Sequence, residues 1–97
     1  MATVQITFGA AMDGIAPVVA AVPRAAEDIT SSGTSQASAI TAQRGEKCQI
    51  TASGGAIWVK FGSAPTASAG NDHLITDGST REFGFLETGW KVALIDV

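Results

Sequence analysis

The sequence predicts an all-β fold, a small antiparallel β-sandwich or jelly-roll-like barrel, and three observations predict it. Apolar and polar residues alternate with a period of two in several short runs, which is typical of strands that bury one face. Clusters of Gly, Asp and Ser separate these runs at roughly the 8–12-residue spacing of sandwiches and barrels. A length of 97 residues suits one modest core. We therefore expect residues 1–97 to form a single β-domain.

The alternation is clearest in residues 3–8, 47–52 and 56–61, which we expect to be strands. Cys48 falls on the apolar face of the second run, which predicts a buried and chemically inert thiol. In the third run Trp58 and Lys60 alternate with the apolar residues and should face outward. The pair Gly54-Gly55 between the last two runs supplies the positive φ angles of a type I′ turn. We therefore expect these two strands to form a hairpin.

The same reasoning applies downstream. We expect strands at 73–76 and 80–86, with Asp77-Gly78 as a second hairpin turn between them. A turn at 87–89 leads into residues 90–97, which are apolar on both faces except for Lys91 and Asp96. A strand of that composition is expected in the middle of a sheet or against a partner.

The remaining segments carry weaker signals. Residues 26–32 and 35–41 are predicted as strands around Gly33, followed by a turn at 44–46. The Ala- and Val-rich N-terminal segment contains glycines and prolines that disfavour a helix. We expect residues 15–22 to be extended, so that residues 1–23 form an N-terminal strand or arm. Residues 62–72 are rich in turn formers and are predicted as a long polar loop.

Composition excludes several classes of function. Six Lys and Arg against nine Asp and Glu give a formal charge of −3, so no basic surface is expected to bind nucleic acid. No run approaches the roughly 18 apolar residues of a membrane span, and the N-terminus does not resemble a signal peptide. A single cysteine excludes an internal disulfide and a multi-cysteine zinc site. We expect no nucleic-acid, membrane or metal partner, and a reducing cytoplasm suits the lone thiol.

The sequence contains no sign of catalysis. His73 is the only histidine, and without a second imidazole or a thiolate nearby it is better explained as a locally hydrogen-bonded residue than as a metal ligand or base. Cys48 lacks the electropositive setting and the oriented base that a nucleophilic cysteine needs. No nucleophile elbow or phosphate-binding loop is present. We therefore predict a non-enzymatic protein with no catalytic, cofactor-binding or metal-binding residues.

The two tryptophans and the low charge point to association with other chains. Only 15% of residues are charged, against about 25% in typical domains, and free sheets normally protect themselves with charge. Tryptophan is enriched among residues that dominate interfaces. We take Trp58, Lys60 and Trp90 as interface candidates and expect a homo-oligomer. The alternative is that Trp58 caps the edge of the core.

One set of positions in the chain carries a family resemblance: Thr30-Ser31-Ser32-Gly33-Thr34-Ser35, Gly45-Glu46, Phe61-Gly62, Pro65-Thr66-Ala67, Ala69-Gly70, His73, Glu82-Phe83 and Lys91-Val92-Ala93-Leu94-Ile95. On these residues, about the last two thirds of the chain resembles small structural proteins of tailed-bacteriophage virions, of the capsid decoration and head-fibre-like kind. The resemblance implies a virion protein made in the host cytoplasm that decorates and stabilises the capsid. It also implies a homotrimer that contacts the major capsid protein or another virion protein.

Two alternatives to capsid decoration stay open at this point. The same module could serve as a neck, tail or head-fibre component of the virion. It could also be a carbohydrate-binding attachment module, because sugar sites combine exposed aromatic rings with Asp, Asn or His. Trp58 and the segment Asn71-Asp72-His73 could supply those groups.

Overall fold

The computed structural model describes residues 2–12, 18–19, 24–68, 70, 72–84 and 86–97. Among these residues the chain forms strands and no helix, arranged as two antiparallel sheets, which confirms the predicted all-β sandwich. The strands are β1 (Thr3–Met12), β2 (Val18–Val19), β3 (Ala25–Thr30), β4 (Gln36–Ala37), β5 (Glu46–Ser53), β6 (Ile57–Gly62), β7 (His73–Ile75), β8 (Thr80–Phe83) and β9 (Lys91–Asp96).

The first sheet is built around β1 and β5. β1 pairs with β2, β3 and β5, and the far edge of β5 pairs with β8. The second sheet has the strand order β4-β9-β6-β7. From β3 onward the chain changes sheet at every connection except the one between β6 and β7. Neighbours in sequence therefore mostly face each other across the core.

The core lies between the inner faces of the two sheets. The period of two places every second side chain of a strand on this face, and burial removes that apolar surface from water. The fully buried inner-face residues are Val4, Ile6 and Phe8 on β1, Cys48, Ile50 and Ala52 on β5, Ile57 and Val59 on β6, Ile75 on β7, and Val92 and Leu94 on β9. The alternation in the three clearest runs is confirmed.

Several local predictions are confirmed, and others are confirmed only in part. β9 lies between β4 and β6, as its apolar character predicted. The turn at position 45 contains Gly45 with a φ of 81°. β4 is much shorter than the predicted strand at 35–41, because the Ser38 hydroxyl accepts the Val92 N–H at 3.1 Å and donates to the Ile40 carbonyl. The Ser38 N–H still donates to the Val92 carbonyl at 2.8 Å, so the hydroxyl replaces only one of the two backbone bonds to β9 at this position.

The predicted Gly54-Gly55 hairpin is wrong. β5 belongs to the first sheet and β6 to the second, so the glycine pair connects two facing strands instead of two paired ones. Only Gly54 has a positive φ, at 92°, whereas a type I′ turn requires two such residues. The physical reason is that both edges of β5 are already paired, one with β1 and the other with β8.

The predicted Asp77-Gly78 hairpin is also wrong, because β7 and β8 lie in different sheets. Gly78 has a φ of 78°, and the turn is closed by the Ser79 N–H donating to the Thr76 carbonyl at 3.0 Å. The Asp77 carboxylate accepts the Gly54 N–H at 2.9 Å. The two inter-sheet crossings therefore lie side by side and support each other.

The N-terminal strand is an integral part of the first sheet. β1 continues to Met12, well past the predicted residue 8, and pairs on one side with six residues of β3. The predicted extended segment at 15–22 is observed at Val18–Val19, which pairs with β1. Its other positions lie outside the described residues.

Two polar contacts join distant parts of the sandwich. Ser31 accepts the Ala2 N–H at 2.7 Å and donates to the Asp96 carboxylate, so it connects β1 to the end of β9. Arg24 forms a bidentate ion pair with Glu46, with N–O distances of 2.6 and 2.8 Å, and donates to the Thr41 carbonyl. Glu46 is almost fully buried, which makes its pairing important.

Cys48 is expected to be unreactive in the folded protein. Its side chain is fully buried, and burial, together with the nearby Glu46 charge, raises the pKa of the thiol well above its usual range. A maleimide reagent at neutral pH should label the native protein very slowly and the urea-unfolded protein completely. Rapid stoichiometric labelling of the native protein would contradict this structure.

Glu46 should make stability depend on pH. Hydrogen bonding to Arg24 lowers the pKa of Glu46 below its usual value. The ionised Glu46 carboxylate therefore stabilises the folded protein at pH values above its unfolded pKa of about 4.3. This stabilisation is lost as the pH falls through the lower pKa that Glu46 has in the folded state. Urea unfolding should show Glu46→Gln to be less stable than wild type at pH 7 by about 1–3 kcal/mol, with the gap narrowing as pH falls below about 4.

Glu87→Gln is the matched control for this experiment. Glu87 approaches Arg44 at 3.9 Å, and both side chains are exposed, so its removal should change stability by less than about 1 kcal/mol. If the difference in free energy of unfolding between wild type and Glu46→Gln stays constant from pH 7 to strongly acidic pH, the charge on Glu46 is not what stabilises the fold.

Candidate functional site

The outer face of the first sheet is polar. Its strands are amphipathic, so the residues that alternate with the core contact water. The polar residues on this face are Thr3, Gln5 and Thr7 on β1, Asp28 and Thr30 on β3, Gln49, Thr51 and Ser53 on β5, and Thr80 and Glu82 on β8. The register also places Ala26 of β3 and the largely buried Lys47 of β5 on it. This surface has the composition expected of a sheet exposed to solvent.

The outer face of the second sheet is apolar at its centre. Register places Trp58 directly between Leu74 of β7 and Ile95 of β9, so one apolar row crosses three strands. Leu74 is 37% exposed, and Trp58 and Ile95 are half-buried. We call Leu74, Trp58 and Ile95 the outer patch. The next row on the same face contains Lys60 and Ala93, so the outer patch has a lysine beside it.

The three predicted interface residues do not form one surface. Trp58 and Lys60 lie on the same outer face of β6, as their spacing predicted. Trp90 precedes β9 and packs, half-buried, against the edge of the core. It lines a separate cleft, which Lys60 also contacts. Trp58 is therefore part of the outer patch, and Trp90 is not.

The cleft lies where β6 ends, β7 begins and β8 ends, beside the segment that leads into β9. Its volume is about 490 Å³, and its lining residues are Lys60, Phe61, Asp72, His73, Phe83, Gly84, Leu86 and Trp90. Phe61 belongs to the second sheet and Phe83 to the first, so both sheets contribute residues to the lining.

The aromatic wall of the cleft is held by contacts among its own side chains. The Phe83 ring centre lies 4.9 Å from that of Phe61 and 5.2 Å from that of His73, in tilted arrangements that suit aromatic pairs. The Arg81 guanidinium lies over the Phe83 ring at 5.2 Å, within the range of a cation–π contact. These contacts hold the Phe83 ring from several sides.

Polar groups occupy another part of the cleft. Asp72 accepts the Ser68 N–H at 2.7 Å through Oδ2, which orients its carboxylate. His73 and Lys60 are exposed. The cleft therefore combines aromatic walls with one carboxylate, one imidazole and one ammonium group. No cluster of three metal-ligating side chains occurs within the described residues, in which no buried side-chain polar atom lacks a partner.

The grouping of Trp58 with Asp72 and His73 that the sequence suggested is wrong. His73 pairs with Val59 and so shares the inner-face register, whereas Trp58 lies on the outer face. Trp90 takes the place proposed for Trp58, and Asn71 lies outside the described residues. Sequence reasoning named Phe83 only as a position of the resemblance and did not propose it as a site residue. The signal that could have found it is an aromatic residue at the end of a short strand, as also occurs at Phe61.

Comparison with known proteins leaves the fold and the cleft as the main guides to function. No family model, no curated protein and no solved structure matches the chain at a significant level. No helix able to cross a membrane is found in the part of the chain that the structure describes.

The two tryptophans should contribute differently to stability. Trp90 packs against the core, so Trp90→Ala should lower the free energy of unfolding by roughly 2–4 kcal/mol, less than the loss for a fully buried tryptophan. Trp58→Ala removes cross-strand contacts with Leu74 and Ile95, worth about 0.2–1 kcal/mol each. Urea unfolding at low protein concentration, where association contributes little, should show this order. The reverse order would place Trp58 in the core.

Proposed function

We propose that this protein is a non-enzymatic structural protein of a tailed-bacteriophage virion, an oligomeric decoration or cement protein that stabilises the capsid. The observation that carries the proposal is the outer patch, which places Trp58, Leu74 and Ile95 in one row on the open face of a sheet. The proposed partners are further copies of the chain and the major capsid protein.

The contrast between the two outer faces supports a covered second sheet. The first sheet carries Thr, Gln and Ser on its outer face, so this chain already contains one face suited to water. An apolar row on the other face is unfavourable in a free monomer, and exposed apolar patches commonly mark contact surfaces. A tryptophan between two aliphatic residues has the composition of an interface hot spot. We therefore assign the outer patch to contact with a second copy.

The resemblance to phage structural proteins supports the same proposal. Two of its matching segments lie in the second sheet, where Phe61-Gly62 ends β6 and Lys91–Ile95 forms most of β9. Glu82-Phe83 ends β8 and belongs to the first sheet. Ile95 of the outer patch belongs to the matching run, so the resemblance includes part of the surface proposed to make contacts.

A trimer imposes a geometric requirement on the outer patch. In a threefold ring each copy uses one surface to contact a different surface of its neighbour. Lys60, beside the outer patch, favours a partner surface that carries carboxylates. Each copy would bury part of a standard interface of about 1,200–2,000 Å² in total. Repetition over the capsid then multiplies weak contacts with the shell.

Substitution of Trp58 tests the oligomer. Trp58→Ala should weaken self-association by about 2 kcal/mol or more, roughly 30-fold in the dissociation constant, in sedimentation equilibrium. Thr51→Ala, on the outer face of the first sheet at a half-buried position, is the control and should change association far less. A wild-type protein that is monomeric at micromolar concentration would overturn the oligomer proposal, as would equal effects of the two variants.

The location in the virion has its own test. An antibody against this chain, applied to purified particles and imaged by electron microscopy, should label the head surface. Label confined to the neck, tail or a fibre would replace decoration by the corresponding alternative role. Particles that lack the chain altogether would overturn the virion proposal.

A further inference from the structure

We propose that the cleft beside Trp90 binds a neutral pyranose unit of a glycan. This inference goes beyond capsid decoration and does not rest on it. The residues that carry the proposal are Trp90 and Phe83 as aromatic walls and Asp72 as a polar partner, all of which line the same cleft.

The size of the cleft suits a small ligand. Binding sites for small molecules are concave spaces of roughly 300–1,000 Å³ with mostly apolar walls and a few polar groups. The cleft, at about 490 Å³, falls within this range. Phe61, His73 and Phe83 come from the ends of strands, and Asp72 and Trp90 each immediately precede a strand.

The aromatic residues suit the apolar face of a sugar ring. A pyranose presents axial C–H groups on one face, and these carry a partial positive charge that is attracted to the negative face of an aromatic ring. Phe83 is already contacted by Phe61, His73 and Arg81, so it acts as a rigid wall. Trp90, half-buried against the core edge, is the larger ring and the proposed stacking platform.

The polar groups suit the hydroxyl edge of the same sugar. The Asp72 carboxylate, oriented by the Ser68 N–H, can accept hydrogen bonds from two neighbouring hydroxyls. Lys60 and His73 line the same space and can donate to hydroxyl or ring oxygens. Charge-assisted hydrogen bonds of this kind are the stronger ones.

This combination favours a sugar over two other ligand classes. A purely apolar ligand would take Asp72 and Lys60 out of water without giving them partners, which is unfavourable. The carboxylate of Asp72 and the ammonium of Lys60 oppose each other, so the lining gives an anionic ligand no clear electrostatic preference. A neutral sugar has both an apolar face and a hydroxyl edge, so it satisfies the aromatic walls and the charged groups together.

Saturation-transfer NMR with the methyl glycosides of glucose, galactose, mannose and N-acetylglucosamine tests the proposal. We expect at least one to bind the wild-type protein with a dissociation constant near 1 mM, typical of one sugar unit on a small site and equivalent to about −4 kcal/mol. Two variants should weaken that binding about ten-fold or more: Asp72→Asn, which removes the charge but keeps an oxygen, and Trp90→Leu, which keeps an apolar side chain but removes the ring.

Trp58→Leu is the matched control, because it removes the other tryptophan from the outer patch and should leave sugar binding unchanged. Circular dichroism establishes that each variant is folded, and Asp72→Asn decides the question if Trp90→Leu fails to fold. Absence of transfer to all four glycosides, or binding that Asp72→Asn leaves intact, overturns the sugar site. A monomeric wild type would overturn the oligomer proposal and leave this result standing.

Discussion

The structure depends on one constraint: each sheet has a continuous apolar inner face, and the two inner faces leave water by stacking on each other. Ile50 on β5 and Val59 on β6 represent the two sides of this contact, and both are fully buried. Because β1 and β8 occupy both edges of β5, the chain after β5 crosses to the second sheet. The inter-sheet turns, the outer faces and the cleft all follow from that crossing.

The crossings determine which surfaces become available for function. They turn Gly54 and Gly78 into corners between sheets, joined by the Asp77 carboxylate, and they make β6 and β9 the centre of a separate four-stranded sheet. The outward side of that sheet then brings Trp58, Leu74 and Ile95 together from three strands. An interface candidate thus arises from residues far apart in sequence.

The same packing separates the two tryptophans and creates the cleft. At one end of the sandwich the ring centres of Phe61 from one sheet and Phe83 from the other lie 4.9 Å apart. Trp90 lies at this end because it immediately precedes β9, an inner strand of the second sheet. One face of the domain is thereby suited to a protein partner, and one end is suited to a small ligand.

The sequence by itself determined the fold class, most strand positions, the buried Cys48 and the outward placement of Trp58 and Lys60. All of these follow from the local period of two, which a strand obeys wherever it lies. Only the tertiary structure decided which strands pair, so the hairpins predicted at positions 54–55 and 77–78 became sheet crossings. A glycine with positive φ reverses or bends the chain in either arrangement, and edge pairing depends on strands distant in sequence. For the same reason, only the assembled sandwich places Trp58 opposite Leu74. It also brings Trp90 and Asp72 into the lining of one cleft.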